Sequence, residues 1–502
     1  MLILGLGEAR PAITASEGTL IPAWCRFNDA AVPGPPRGTG SDITNNGELM
    51  RTTNLPDDLD HTGDQRMWLS GFLAGFDAGS TTEGAVAADR DAVLAAARAA
   101  LAELDSGVSA PEIPGAEKIA DRPAKPKRSP WTRKNPYAAT LVANRPLRGS
   151  DSAKDVRHVV FDLGDSDIDY EAGDGLGIRP VNDPHLVSAL ITRIGADPHQ
   201  PITTRAGEFT LVDALTHEYE ISLPTRDLID FMAERSRDAE LDHVLSTEER
   251  EALEGWLWGK DVLDLLDLEP ALEISATELL ELLRPLTHRV YSISSSPLTH
   301  KGMVHLTVSA VRYRSAQRDR RGQCSTYLAD RLKAGDTAGV FLSKNRSFRL
   351  PDDDSVPVVM VGPGTGVAPF RSFLYERKAR GARGRNWLFF GDQFRATDFM
   401  YEDEIVQFRR DGVLDRLDLA FSRDQEQKVY VQDRMRENGA DLFTWLEDGA
   451  HFYVCGDASQ MAKDVDSALH DVVAEHGGFD AETAEDYVNT LKREKRYLRD
   501  VY

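Results

Sequence analysis

Residues 356–369 read VPVVMVGPGTGVAP and join an apolar run to the helical pattern APFRSFLYERKARG. A strand, a glycine-rich turn and a helix in this order are typical of a parallel α/β sheet, with the turn at the carboxyl edge of the strand. Three glycines let the backbone approach a phosphate closely, and Thr365 adds a hydroxyl. The third glycine of the G-x-G-x-x-G pattern is missing, so a plain tight turn is the alternative.

Strand and helix patterns alternate on the C-terminal side of this turn. NWLFFGDQ, LDLAFSRD and HFYVCGD are strand patterns, while MYEDEIVQFRRDG and MAKDVDSALHDVVAEHG are helical. They predict a parallel α/β domain with helices on both faces over 351–502. Over 126–350, short β-type runs bounded by Gly and Pro predict an antiparallel β-barrel or a sandwich, with a helical insertion at about 185–285. The predicted fold class is therefore α/β multidomain.

The first 125 residues are predicted to be an extension and a linker rather than a third domain. VPGPPRGTGSDITNNG is typical of extended chain, and AVAADRDAVLAAARAALAEL (85–104) predicts an amphipathic helix. Residues 106–137 contain six prolines and the basic run RPAKPKRSPWTRK (122–134), which is typical of a linker. That basic run would also suit an acidic docking partner.

Charge and cysteine content exclude several classes of function. A formal charge of −23 over 502 residues argues against binding nucleic acid or an anionic membrane. Cys25, Cys324 and Cys455 are too few and too scattered for a disulfide framework or a metal site. The apolar start lacks a basic flank, and no window approaches 18 apolar residues, so a cytoplasmic location is expected.

A cationic cluster follows the LDLAF strand pattern. SRDQEQKVYVQ (422–432) places Ser422, Arg423 and Lys428 at the carboxyl edge of the predicted sheet. Arg suits bidentate recognition of phosphate, and a coenzyme with a 2′-phosphate needs cations where an NAD site carries an acidic residue. The alternative is a solvated turn with incidental charge.

Two motifs in the β-rich part point to a cofactor with a diphosphate and a flat ring. In RVYSISSSP (289–297), Arg289 and Tyr291 share one face of a strand, although an exposed strand face would look the same. RRGQCSTYLADRL (320–332) is a glycine-opened turn into a helix, which offers backbone N–H groups to an anion.

The order of these motifs resembles that of the NADPH–cytochrome P450 reductase family. Their sequences are most similar to those of the family's sulfite reductase flavoproteins. The resemblance covers about 130–502 and includes TVSAVRY, GQCSTYL, GPGTGVAPFRSF, HFYVCGDASQMAKDV and the closing RYLRDVY. It implies an NADPH-oxidising flavoprotein that passes electrons from FAD to a protein partner. That partner would be a sirohaem sulfite reductase subunit, or a flavodoxin or ferredoxin if the chain is a stand-alone diaphorase. A non-catalytic docking subunit is the third alternative.

The resemblance also implies which residues bind each cofactor, with no metal. For FAD these are Ser222, Arg289, Val290, Tyr291, Ser292, Thr307, Val308, Ser309, Tyr313, Gly322, Gln323, Cys324, Ser325 and Tyr502. For NADP they are Gly364, Thr365, Ser422, Arg423, Lys428, Tyr430, Gln432 and Asp464.

Ser292, Cys455 and Asp500 are implied to surround the site of hydride transfer, and the ring of Tyr502 to stack on the flavin. One departure concerns the N-terminal part. The family's flavodoxin-like FMN domain needs a T-x-T-G phosphate loop, and the region before residue 125 has none. DQRMWLSGFLAGF resembles the short helix that precedes that domain. FMN is therefore not expected in this chain.

Overall fold

The computed structural model describes residues 129–247, 249–315 and 317–502. The predictions for the first 125 residues, including the helix at 85–104 and most of the linker, lie outside the described residues. Within the described ranges, no helix combines the length and the apolar character needed to cross a membrane.

The strands of the described residues fall into two main sheets and two hairpins. In chain order they are β1 (Tyr137–Pro146), β2 (Asp155–Asp162), β3 (Gly175–Ile178), β4 (Pro201–Thr204), β5 (Gly207–Thr210), β6 (Arg289–Ser292), β7 (Met303–Ala310), β8 (Arg312–Ser315), β9 (Arg318–Arg321), β10 (Thr337–Ser343), β11 (Val358–Val361), β12 (Asn386–Asp392), β13 (Arg416–Phe421), β14 (His451–Gly456) and β15 (Tyr497–Val501).

The helices form an insertion within the first sheet and the two outer layers of the second. They are α1 (Pro184–Arg193), α2 (Leu211–His217), α3 (Arg226–Arg235), α4 (Ala239–Ser246), α5 (Arg250–Leu257), α6 (Val262–Leu266), α7 (Ala276–Leu282), α8 (Gln323–Thr326), α9 (Val367–Arg380), α10 (Arg395–Asp398), α11 (Glu402–Arg410), α12 (Val431–Glu437), α13 (Gly439–Glu447), α14 (Met461–Gly477) and α15 (Ala481–Arg493). A π-helix (Tyr327–Arg331) extends α8, and a 3₁₀ turn (Gly364–Gly366) precedes α9.

The first sheet is antiparallel, with the strand order β6-β3-β10-β1-β2-β7. Its longest register pairs Asp155–Asp162 with Met303–Ala310 in reverse. Apolar side chains such as Phe161, Leu176 and Leu306 alternate onto one buried face. Just past β6, a single bridge joins Ile293 to Leu306 of β7. The sheet order does not close, so the structure establishes an antiparallel sheet but not the predicted barrel.

Helices α1 to α7 lie between β3 and β6, in the segment for which the sequence predicts helices. They surround a core of their own that includes Leu190, Leu215 and Met232. Most begin at an Asp, Thr or Ser whose side chain accepts a hydrogen bond from the first turn, as Asp261 and Ser275 do in full capping boxes. The short hairpin β4–β5 within this segment has no counterpart in the sequence prediction.

The second sheet is parallel, with the order β13-β12-β11-β14-β15, which confirms the predicted α/β arrangement. Val358 and Met360 pack into one apolar layer and Val359 and Val361 into the other, as expected for a strand covered on both faces. Strand order reverses between β11 and β14, so the glycine turn after β11 lies at the switch point where α/β sheets bind ligands.

The two sheets are joined through α9 and share one apolar layer. Arg371 Nη1 donates to Ser294 O at 2.6 Å, and Ser372 Oγ donates to Ser295 O at 2.8 Å. Phe348, which follows the last strand of the antiparallel sheet, stacks on Phe373 of α9 at 5.6 Å between ring centroids. These contacts hold β6 and β7 beside the carboxyl edge of the parallel sheet.

Candidate active site

A cleft of about 1320 Å³ runs along the carboxyl edge of the parallel sheet. The turns after β11 to β14 line one wall, and β6, β7 and the helical insertion line the other. Most of the predicted site residues line this single cleft. They are Ser222, Arg289, Val290, Tyr291, Ser292, Thr307, Ser309, Tyr313, Gly322, Gln323, Cys324, Ser325, Gly364, Thr365, Ser422, Arg423, Lys428, Tyr430, Gln432, Asp464 and Tyr502.

Three predicted residues do not line the cleft itself. Val308 is fully buried in the core of the antiparallel sheet, so only its backbone is available to a ligand. Cys455 is fully buried at the end of β14, and Asp500 is half-buried beside it on β15. Both touch the cleft indirectly, through Ser292.

Strand β6 forms the floor of the cleft on the side of the antiparallel sheet. Arg289 and Tyr291 are two residues apart and share one side of the strand, as the sequence predicts. Arg289 Nη1 donates to Thr287 Oγ1 at 2.6 Å. Burial raises the pKa of Tyr291 well above its usual value, so its side chain is a neutral phenol. Val290 is 42 % exposed.

Glu220, which the sequence analysis missed, organises this end of the cleft. Its fully buried carboxylate accepts from Ser222 N and from Gln323 Nε2, both at 2.9 Å, and lies 3.5 Å from Arg289 Nη2. A buried carboxylate with these donors fixes three predicted residues at once. In the sequence EYEISLP it looks like any surface glutamate, because its partners are distant in the chain.

The RRGQCSTYL turn packs tightly against the cleft. A Cβ at Gly322 would lie 2.5 Å from Ser325 Oγ and 2.8 Å from Val311 Cβ, so only glycine fits there. Ser325 Oγ in turn accepts from Val311 N at 3.1 Å. Burial raises the pKa of Cys324 to about 11, which keeps the thiol neutral. Nearby, Tyr313 and Trp258 lie 5.3 Å apart between ring centroids.

Each of the three glycines of GPGTG is required for a different structural reason. A Cβ at Gly366 would lie 2.1 Å from Cys455 O, and one at Gly362 would lie 2.6 Å from Gly366 O, so these two serve chain packing. Gly364 has a φ of +59°, which favours glycine, and it faces the cleft. Thr365, expected to face a pyrophosphate, exchanges a hydrogen bond with the hydroxyl of Tyr502 at 2.8 Å.

The cationic cluster after β13 is fixed through its backbone and through Ser422 Oγ, which donates to Asp392 O at 3.3 Å. Ser422 N donates to Asp392 O at 2.8 Å, and Arg423 N donates to Gln393 O at 2.9 Å. Among the described residues, neither Arg423 nor Lys428 forms an ion pair, although most arginines around the cleft do. Two uncompensated cations on a chain of charge −23 favour a strongly anionic ligand.

The amides of Gln432 and Gln460 and the carboxylate of Asp464 line the cleft on the other side of the cationic cluster. Gln432 Nε2 lies 3.4 Å from Asp464 Oδ2, and Gln460 Nε2 donates to Asp464 Oδ1 at 2.7 Å. Tyr430 is 44 % exposed at the start of α12, which leaves its ring accessible from the cleft. Gln460, a polar residue in the turn before α14, was not predicted from the sequence.

The two walls of the cleft meet at Asp500. Its Oδ2 accepts from Ser292 Oγ at 2.7 Å and lies 3.8 Å from Cys455 Sγ, while its Oδ1 accepts from Asn345 Nδ2 at 3.2 Å. Burial raises the pKa of Asp500, and burial together with Asp500 raises the pKa of Cys455 well above its usual value. The predicted trio of Ser292, Cys455 and Asp500 is thus contiguous, and Asn345 is an additional member.

Tyr502 lies directly beside this trio. Its N–H donates to Gly456 O and its carbonyl accepts from Ala458 N, both at 3.0 Å. The residue is 37 % exposed, and burial of its hydroxyl raises the pKa of the phenol. The ring lines the cleft, and its hydroxyl is hydrogen-bonded to Thr365 Oγ1.

Two family models match the chain, one for each wall of the cleft. Residues 129–327 match the FAD binding domain, and residues 360–467 match the oxidoreductase NAD-binding domain. The chain thus matches an FAD-binding model followed by an NAD-binding model. Clefts between such domains bring two cofactors together, and the partners described above suit both: a braced arginine and tyrosine on the FAD side, and unpaired cations beside a glycine turn on the NAD side.

The relatives found are flavoproteins. The chain is 44 % identical over 374 residues to the sulfite reductase [NADPH] flavoprotein alpha-component of Citrobacter koseri, covering 74 % of this chain and 62 % of the relative. It is 46 % identical over 374 residues to the protein of that name from Vibrio cholerae, covering 74 % and 60 %. The chain is therefore similar to these proteins and spans about three fifths of their length.

Proposed function

We propose that this chain is an NADPH-dependent FAD flavoprotein reductase. The hydrogen bond from Ser292 of the FAD-binding domain to Asp500 of the last strand carries the proposal, because it joins the two half-sites at one point. The names of the relatives support NADPH as reductant. An intact trio and two free cations argue against a docking subunit without catalysis.

The FAD-side residues divide into three groups. Arg289, Tyr291 and the Gly322 turn would hold the diphosphate, with Glu220 keeping Arg289 and Gln323 in place. Ser222 and Tyr313 would hold the adenine end, because both line the part of the cleft nearest the helical insertion. Thr307, Val308 and Ser309 would supply backbone and hydroxyl groups from β7.

The NADP-side residues follow the parallel sheet. Gly364 and Thr365 would face the pyrophosphate, and Arg423 and Lys428, with Ser422, the 2′-phosphate. Tyr430, Gln432 and Asp464 would hold the adenosine. Since the clamp cations have no protein partner in the described part of the chain, binding a phosphate breaks no ion pair.

FAD, when bound, supplies the ring that accepts a hydride from the nicotinamide. Ser292 is placed to donate a hydrogen bond at that locus, and Asp500 to stabilise positive charge that develops nearby. Three donors fix the orientation of the Asp500 carboxylate. Cys455, neutral because it is buried, serves as a packing surface beside it. Tyr502 excludes water from the same locus until the nicotinamide arrives.

The proposed cofactor sites also set the domain boundaries. We place the FAD-binding domain at 126–350, with its helical insertion at about 185–285, and the NADP-binding domain at 351–502. The bridge between Ile293 and Leu306 supports a barrel that closes between β6 and β7. The first 125 residues are proposed to be an extension without a flavodoxin fold.

The electron acceptor is inferred from the relatives. Their name makes a sulfite reductase haem subunit the first candidate partner, in the cytoplasm. A flavodoxin or ferredoxin is the second candidate, because the 502 residues offer no recognisable phosphate loop for FMN. Affinity capture with the full chain, followed by an absorbance spectrum of the captured protein, separates a sirohaem protein from a small carrier.

Anaerobic stopped-flow reduction of the FAD-loaded chain tests the proposal. NADPH should bleach the flavin band and NADH should do so far more slowly. Ser292→Ala should slow bleaching by at least about tenfold if its hydrogen bond acts in the transition state. Ser150→Ala, an exposed serine outside the cleft, is the matched control. Acid-released flavin should be about one FAD per chain. Stoichiometric FMN, or no bleaching by NADPH, would contradict the proposal.

A further inference from the structure

A buried carboxylate lies at the carboxyl end of β12, between the glycine turn and the cationic cluster. The side chain of Asp392 has no exposed surface, yet the residue belongs to the lining of the cleft. Its backbone carbonyl accepts from Ser422 N at 2.8 Å. A fixed negative charge here stands beside the expected path of an anionic coenzyme.

Two cations from the other sheet neutralise this carboxylate. Arg148, in the loop after β1, pairs with Asp392 Oδ2, and Lys154 Nζ lies 3.2 Å from Asp392 Oδ1. Gln393 N also donates to Oδ1 at 2.8 Å. The side chain of Arg148 is 3 % exposed, whereas that of Lys154 is 33 % exposed and reaches the cleft. Both oxygens of Asp392 are therefore occupied.

The same loop is tied to the parallel sheet by further bonds. Arg148 Nη1 lies 2.7 Å from Asp398 Oδ1, and Ser152 Oγ donates to that oxygen at 2.6 Å. Gly149 N donates to Thr397 O at 2.9 Å. The position of Lys154 is thus set by several contacts rather than by its own ion pair alone.

The position of Asp392 relative to the glycine turn decides which part of a ligand it would affect. A Cβ at Gly364 would lie 3.9 Å from Asp392 Oδ2, so the open face of the turn and the carboxylate are neighbours. An anion seated on the turn comes within a few ångströms of this oxygen. At that separation, unscreened like charges in a partly buried site repel strongly.

We propose that Lys154 and Arg148 neutralise Asp392 so that the pyrophosphate of a nicotinamide coenzyme can bind at the Gly364 turn. Lys154 is then a positioning residue that acts through Asp392, and it comes from the FAD-binding side of the cleft. The inference rests on the proposed function. It concerns the pyrophosphate, which NADPH and NADH share, and not the 2′-phosphate held by Arg423.

Equilibrium binding of NADP⁺, NAD⁺ and 2′-AMP to the FAD-loaded chain tests this, with Kd as the readout. Asp392→Asn should tighten both dinucleotides about fivefold, since it removes the repulsion and releases Lys154. Lys154→Met should weaken both about tenfold, because it exposes the carboxylate. The double variant should return to within about threefold of the unchanged protein.

The third ligand and two controls separate this from general damage. 2′-AMP lacks the pyrophosphate, so its Kd should stay constant in all three variants and rise only in Arg423→Ala. Asp441→Asn removes an exposed carboxylate outside the cleft and should leave every Kd unchanged. If Lys154→Met does not fold, the tightening by Asp392→Asn still decides, because loss of a purely structural contact would not tighten binding.

Three results would overturn the inference. Weaker or unchanged dinucleotide binding by Asp392→Asn would do so. A loss in Lys154→Met that persists in the double variant would make Lys154 a direct phosphate ligand instead. Failure of the unchanged chain to bind NADP⁺ would overturn the proposed function together with this inference. In contrast, if the unchanged chain binds NADP⁺ and the variants bind it with the same Kd, only this inference is refuted and the proposed function stands.

Discussion

Replacement of Tyr502 by alanine should ease entry of the nicotinamide, because few interactions hold the ring over the cleft. The backbone of residue 502 is bonded to Gly456 and Ala458 and keeps these bonds in any variant. The ring itself has one polar contact, from its hydroxyl to Thr365 Oγ1 at 2.8 Å. Substitution of the side chain therefore removes the ring, which we call the lid, without disturbing the backbone bonds of the last strand.

The free energy needed to displace the ring is the sum of two interactions, its hydrogen bond to Thr365 and its proposed stack on the flavin. A neutral hydrogen bond contributes about 1 kcal/mol, and an aromatic stack about 0.5–1.5 kcal/mol beyond burial. Displacing the ring therefore costs roughly 1.5–2.5 kcal/mol, or about 10- to 70-fold in the apparent affinity for a ring that takes its place. Tyr502→Phe removes only the hydroxyl and should give about fivefold.

The assay is stopped-flow reduction of bound FAD over a range of coenzyme concentrations. NADH gains little from the phosphate clamp and stays below saturation, so its kcat/KM should rise about tenfold or more in Tyr502→Ala. The kcat/KM for NADPH should rise less, because steps after entry of the nicotinamide limit the rate of flavin reduction by NADPH sooner. In a Thr365→Val background, Tyr502→Phe should have no further effect, because the hydrogen bond between the two hydroxyls is already absent. Unaltered reduction by both coenzymes in Tyr502→Ala would refute the lid.

Three further outcomes are expected. Arg423→Ala should lower kcat/KM for NADPH about tenfold or more and leave NADH nearly unchanged, and an equal loss with both would make Arg423 structural. Glu220→Gln should raise the Kd for FAD roughly tenfold without lowering the melting temperature of the apoprotein by more than a few degrees, since it weakens the bracing of Arg289 and Gln323. Burial lowers the pKa of His158 to about 2 and of His305 to about 3, so only the unfolded chain gains their protons below pH 6.5. In urea titrations, His305→Gln should therefore reduce the loss of stability between pH 7 and pH 5.5 by roughly 1 kcal/mol, and an unchanged loss would mean that this ring is charged in the folded protein.

Local patterns were sufficient for the parallel half of the fold. VPVVMVGPG, NWLFFGDQ and HFYVCGD each form the strand that their apolar character predicts, because strands covered on both faces are uniformly apolar. In the antiparallel half the strands were predicted, but the predicted barrel is not established, because the strand order is open and only one bridge, between Ile293 and Leu306, joins its ends.

Side chains at the site were predictable where the motif is local or the resemblance is specific. Ser292 is 163 residues from Cys455 and 208 residues from Asp500, yet the family pattern placed them together. Glu220, Asn345 and Asp392 were missed, because each acts through partners far along the chain. Glu220 and Asp392 organise their neighbours because their carboxylates are buried, and a single sequence does not display burial of a polar residue.

The deep burial of Cys455 makes the terminal strand observable by labelling chemistry. Alkylating reagents need a solvent-exposed thiolate, and this thiol is inaccessible, with its pKa well above the usual value. Modification must therefore wait until β15 detaches from β14, and its rate reports the free energy of that local opening. A bound coenzyme that holds the strand in place should slow the reaction, so labelling of Cys455, followed separately from that of Cys324, measures cleft occupancy without any introduced probe.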